Sequence, residues 1–129
     1  MEIDIEFQWR RDPALVVVTF ARGGIRTDVA GVVAPLFPQS LIRSDLADDL
    51  VATACATRSA EGMVIAPVTI HGHTTATLRM RPRSSLVAIR VSHGGARTEL
   101  LLGLDFLSLF AETRLRFTGE VAHLTLTTR

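Results

Sequence analysis

Hydrophobic and polar positions alternate without a break over residues 2–9, which places Ile3, Ile5, Phe7 and Trp9 on one face. A period of two predicts a half-buried strand, because successive side chains leave opposite faces of the pleat. Arg10-Arg11-Asp12-Pro13 interrupts the pattern as a turn, since proline cannot donate to a ladder. Residues 15–20 form a β-branched apolar run that predicts a strand buried on both faces. Gly23-Gly24 suits a hairpin turn, and residues 25–33 return as a strand or loop. The period then changes. Over residues 39–54, Leu41, Ile42, Leu46, Leu50 and Val51 share one broad helical face, with Asp45, Asp48 and Asp49 outside it.

Residues 63–70, 75–80 and 86–91 read as further strands, separated by Gly72, Pro82-Arg83-Ser84 and Gly94-Gly95. Residues 100–107 read Leu-Leu-Leu-Gly-Leu-Asp-Phe-Leu. The leucines predict a buried strand, and Asp105 is placed to cap a short helix through Leu107, Leu109 and Phe110. Leu115 and Phe117 alternate with Arg114 and Arg116 as a half-buried strand, and Thr118-Gly119-Glu120 makes a turn. Ala122, Leu124 and Leu126 repeat the period. Many short strands with one or two short helices predict an all-β or mostly β barrel or folded sandwich.

Composition narrows the class. The 129 residues suit one domain spanning 1–129, and 47% apolar content argues against disorder. A net charge of +1 implies no strong field for nucleic acid or an anionic membrane. No apolar run reaches the roughly 18 residues of a membrane span, and the first residues lack a basic leader; a cytoplasmic protein is expected. Cys55 is the single cysteine and is expected as a small core residue. All 14 basic residues are Arg, and Lys, Asn and Tyr are absent, a pattern of GC-rich, bacterial coding. His71, His73, His93 and His123 lack the spacing of a zinc site, so no metal and no cofactor are expected. Arg79, Arg81 and Arg83, with Arg90 nearby, read as a solvated strand face, because few aromatics accompany them to stack bases.

The order of apolar strand, Gly103, Asp105-Phe106-Leu107 helix and closing hairpin resembles the C-terminal half of retropepsins, the retroviral-type aspartic proteases and their bacterial relatives. Their hydrophobic-hydrophobic-Gly motif corresponds to Leu101-Leu102-Gly103, continued through Asp105. The resemblance implies a retropepsin-like acid-protease barrel and a homodimer joined through terminal strands, each subunit supplying one Asp from Asp-Thr/Ser-Gly-Ala. Two such carboxylates share one proton and activate a water, because like charges that close cannot both ionise. In the family a short strand and then a helix follow that motif. A hairpin flap falls near residues 57–63.

Matching Phe37-Pro38-Gln39-Ser40-Leu41 to the family's Ile-Pro-x-x-Leu puts Gly31 on the motif's Gly, Ala30 on its Thr or Ser and Val29 on its Asp. On this register the loop is degenerate, and the domain is expected to act in dimerisation or in peptide or protein binding. A register shifted by one residue instead gives catalysis to Asp28 and makes an active homodimeric aspartic endopeptidase. A third reading is a small barrel for a bacterial cyclic dinucleotide, echoed by Arg10-Arg11 and Asp28-Val29-Ala30 but lacking the glycine expected at position 33.

Overall fold

The computed structural model describes residues 1–72, 74–84 and 99–129. The strand expected at 86–91, Gly94-Gly95, His73, His93 and Arg90 lie outside the described residues. The described chain is mostly β, with strands β1 (Glu2–Gln8), β2 (Leu15–Arg22), β3 (Ile25–Val33), β4 (Ser40–Arg43), β5 (Thr57–Arg58), β6 (Val64–Ile70), β7 (Thr74–Arg83), β8 (Leu100–Leu102), β9 (Glu112–Thr118) and β10 (Val121–Thr127). Two short helices, α1 (Ser44–Ala52) and α2 (Leu104–Leu107), interrupt them.

Strands pair in the order β2-β3-β8-β4-β7-β6, and β2 pairs β6 again, so this sheet closes into a six-stranded barrel with β5 attached to β6. Closure removes the free edges of those strands, and their inward side chains fill the centre. Val16, Val18 and Phe20 of β2, Val64, Ala66 and Ile70 of β6, and Leu100 and Leu102 of β8 are buried there. A separate three-stranded sheet, β1-β10-β9, pairs the first residues with the last, with Ile3 opposite Leu126 and Ile5 opposite Leu124.

Several elements depart from the expectation. β2 is buried throughout on one face only: on the other, Val17 and Ala21 are exposed while Thr19 between them is covered. Residues 39–54 begin as strand rather than helix. Leu41 and Ile42 pair with Leu101 and Leu100 of β8, and only from Ser44 does the chain turn helical, burying Leu46, Ala47 and Leu50. Ile42, Leu46 and Leu50 are spaced by four, so the short strand mimics one more turn of helix.

Asp105 is not the cap of α2. Gly103 holds that position, and the backbone of residues 37–38 receives the first N–H groups: Leu104 N donates to Phe37 O at 2.9 Å and Asp105 N to Pro38 O at 3.3 Å. With the first two orphan donors satisfied by carbonyls, the Asp105 side chain takes only the Phe106 N–H of its own helix and reaches across to β4 as well. Finally, the alternation of β9 predicts a half-buried strand, yet every residue in it is exposed. The stripes of β1 and β10 lie side by side on one face of the same sheet, where Ile3, Ile5, Leu124 and Leu126 pack on the core within the single chain, so their apolar character is satisfied internally.

Candidate functional site

The parallel pairing of β3 with β8 sets Val33 beside Leu102, so both strands end at the same pole of the barrel. There the connection Ala34-Pro35-Leu36-Phe37-Pro38-Gln39 leads from β3 into β4, and Gly103 leads from β8 into α2. Ala34 N donates to Leu102 O at 2.8 Å, which fixes the start of the connection. Gly103 is required by closeness: a Cβ there would lie 2.5 Å from Phe37 O and 2.9 Å from the Gln39 carbonyl carbon. Backbone on the far side leaves nowhere for a side chain to go.

A polar staple holds this pole. Ser40, fully buried, donates its hydroxyl to Asp105 Oδ1 at 2.7 Å, and its backbone N–H donates to Oδ2 at 3.0 Å. The same Ser40 hydroxyl accepts from Gly103 N at 3.1 Å, and Phe106 N donates to Asp105 Oδ1 at 2.8 Å. Asp105 therefore ties two segments together that are 65 residues apart. A cleft of about 230 Å³ opens beside it, lined by Gln39, Met63, Thr77, Leu78, Arg79, Asp105, Phe106 and Leu109. Met63 of that lining ends the turn at residues 59–62 between β5 and β6, where Gly62 has φ +82° and Ser59 N donates to Met63 O.

Asp28, Val29, Ala30 and Gly31 are not in a loop. All four lie inside β3, paired with Thr19, Val18, Val17 and Val16 of β2. Asp28 sits five residues before Val33, or roughly 16 Å along a strand from the pole. Its carboxylate lies on the outward face, where Oδ1 accepts the Thr19 hydroxyl at 2.6 Å and Arg26 Nε at 3.2 Å. Arg26 also reaches Oδ2 at 3.3 Å. The Thr19 hydroxyl first, and the Arg26 guanidinium second, hold this carboxyl below the ordinary value of 3.8, so it is ionised at neutral pH. Val29 is buried in the core. Gly31 has a packing reason: a Cβ would come within 2.7 Å of Leu102 Cδ1, so the glycine makes room for the leucine of the neighbouring strand.

Leu101 and Leu102 are buried as the sequence implies, and so is Cys55. Arg10 stands 5.0 Å over the Trp9 ring and 3.9 Å from Glu120, and Arg11 bonds Gln8, so the partners of these arginines are other than Asp28. Among the described residues no group of three His, Cys, Asp or Glu side chains gathers as a metal site. No helix among them is long and apolar enough to cross a membrane.

No family model matches the sequence, and no curated protein does. A solved structure does match: a retropepsin-like aspartic protease from Rickettsia conorii, 15% identical, with a TM-score of 0.53, over 100% of this chain and 94% of that one. The fold is that of a retropepsin-like aspartic protease. Within this retropepsin-like fold, the sequence pattern points to Leu101-Leu102-Gly103 and Asp105 but not to Ser40, whose bond to Asp105 crosses the chain. The signal available for it is a lone serine ahead of two apolar residues, which is too common to single out.

Proposed function

We propose that this is a non-catalytic domain on an aspartic-protease scaffold, working by self-association or by binding peptide or protein. The observation that carries the reading is the segment between β3 and β4. In the family the catalytic motif is followed by a short strand and then a helix; here β4 and then α1 follow Ala34-Pro35-Leu36-Phe37. That order supports counting the motif at Ala34, Pro35 and Leu36 rather than at Val29, Ala30 and Gly31. On either count the water-activating carboxylate and its neighbouring hydroxyl are missing. Asp28, the alternative catalyst, is held ionised in a strand by Thr19 and Arg26. A shared-proton pair needs one carboxyl that keeps its proton, and a lowered pKa works against that.

Binding is favoured by what the pole presents instead. Leu36 is 95% exposed, and Phe37 and Leu104, joined through the Leu104 N to Phe37 O bond, are about half exposed. The test is incubation with a mixed peptide library between about pH 3 and pH 8, read by mass spectrometry. No specific cleavage is expected. Cleavage that disappears in Asp28→Asn, with the fold retained, would restore the endopeptidase reading.

A further inference from the structure

The three-stranded sheet is wider than the core beneath it. Along its apolar face run rows that cross all three strands: Ile5, Leu124 and Leu115 form one, and Phe7, Ala122 and Phe117 the next. Ile5, Leu124 and Ala122 are buried, whereas Leu115 is 54% exposed and Phe117 56%. Trp9 lies against Phe117 edge to face, with ring centroids 5.8 Å apart, and is itself substantially exposed. β10 is paired on both sides by β1 and β9, so its edges are taken. Among the described residues the outer edges of β1 and β9 have no strand beside them.

The two edges carry opposite charge on the polar face. β1 presents Glu2, Asp4 and Glu6, and β9, after Glu112 at its start, presents Arg114 and Arg116. Between them β10 contributes His123, Thr125 and Thr127. Pairing either edge with its own copy is opposed by this arrangement. Antiparallel β1 on β1 sets Asp4 against Asp4 or Glu6, and β9 on β9 with Leu115 and Phe117 alongside sets Arg against Arg; like charges directly opposite destabilise a ladder. β1 and β9 both run antiparallel to β10 and hence parallel to each other. A copy displaced sideways therefore brings its β1 alongside β9 in parallel, with both apolar faces on the same side.

We propose that β9 is an assembly edge and that its occupant is β1 of a second copy, joined head to tail. In one register Glu2 and Asp4 of the second copy meet Arg114 and Arg116, while Ile3 and Ile5 continue the apolar rows of Leu115 and Phe117. The contact is heterologous, so it leaves a free β1 and a free β9 at the ends and grows beyond a dimer. This rests on the self-association reading above and names its partner, on a surface separate from the pole, and it stands apart from whether the domain cleaves peptide.

Light scattering on the full chain across a dilution series to roughly 100 μM reads the assembly directly. The mass is expected to rise with concentration past a dimer and to fall on adding salt, which screens exposed pairs. Arg114→Glu/Arg116→Glu and Glu2→Arg/Asp4→Arg should each weaken association about tenfold or more while melting like the wild type. Both variants also break the Arg114–Glu2 ion pair within the chain, the first the Arg114–Glu112 pair and the second the Asp4 contacts to His123 and Thr125, but these contacts are at the solvent-exposed surface and contribute little. An equimolar mixture of the two variants should assemble again, since an acidic β9 then meets a basic β1. A wild-type protein that stays monomeric overturns the proposal. So does a mass that stops at a dimer and persists in both variants, or a mixture that fails to recover.

Discussion

Asp28 and Thr19 show how a carboxylate in a catalytic-looking stretch can be a structural residue. Asp28 has a lowered pKa in the folded chain, so the stability it contributes is present above the ordinary value of 3.8 and is lost as pH falls through the folded value. Asp28→Asn should therefore melt earlier than the wild type near about pH 7, and the gap should close as pH is taken below about 4. Thermal melts of both proteins across that range check the sign. Ser40→Ala acts at the pole. It leaves the buried Gly103 N without its partner and takes one of the two donors from Asp105 Oδ1, and a destabilisation of about 1–3 kcal/mol in denaturant titration is expected.

Among the elements, β3 and β8 owe their close approach to the glycines, and the two should not respond alike. Gly31→Ala presses on the Leu102 side chain, which can shift, whereas Gly103→Ala presses on the carbonyls of Phe37 and Gln39, which cannot. Gly103→Ala should lower the melting temperature by clearly more than Gly31→Ala in the same assay. Much of this level is legible in the sequence. β1, β6, β7 and β10 follow their alternation, and the Leu101-Leu102-Gly103 turn is where the pattern puts it. β4 is hidden because four residues are too few to establish a period and Ile42 happens to continue the helical spacing of Leu46 and Leu50. Gly31 draws the degenerate motif to itself because matching Phe37-Pro38-Gln39-Ser40-Leu41 to the family's Ile-Pro-x-x-Leu puts it on the motif's glycine; its actual reason is the bulk of Leu102, which no local pattern reveals. Alternation in β9 identifies the apolar face correctly but carries no information on how far the core extends under it.

Over the whole molecule, the barrel depends on side chains that converge from every strand. Leu102 is fully buried, so Leu102→Ala should cost about 2–5 kcal/mol, read from the shift in denaturant midpoint at constant slope. A midpoint unchanged by that substitution would mean that the pole is packed differently from the arrangement described.

The three residues of β8 also govern the order in which the barrel can form. β8 lies between β3 and β4, although both come far earlier in the chain. Until Leu100 is available, the growing chain carries two strands with a gap where their shared neighbour belongs, and the ring cannot close. Loop-closure entropy must be met before that pairing rewards it, which sets such topologies among the slower folders, on the order of milliseconds to seconds. During synthesis the N-terminal strands wait for the C-terminal third, with the edges of β3 and β4 open to whatever strand arrives first. A chain released before Glu99 would keep those edges permanently, and its fate would be aggregation rather than a smaller stable barrel.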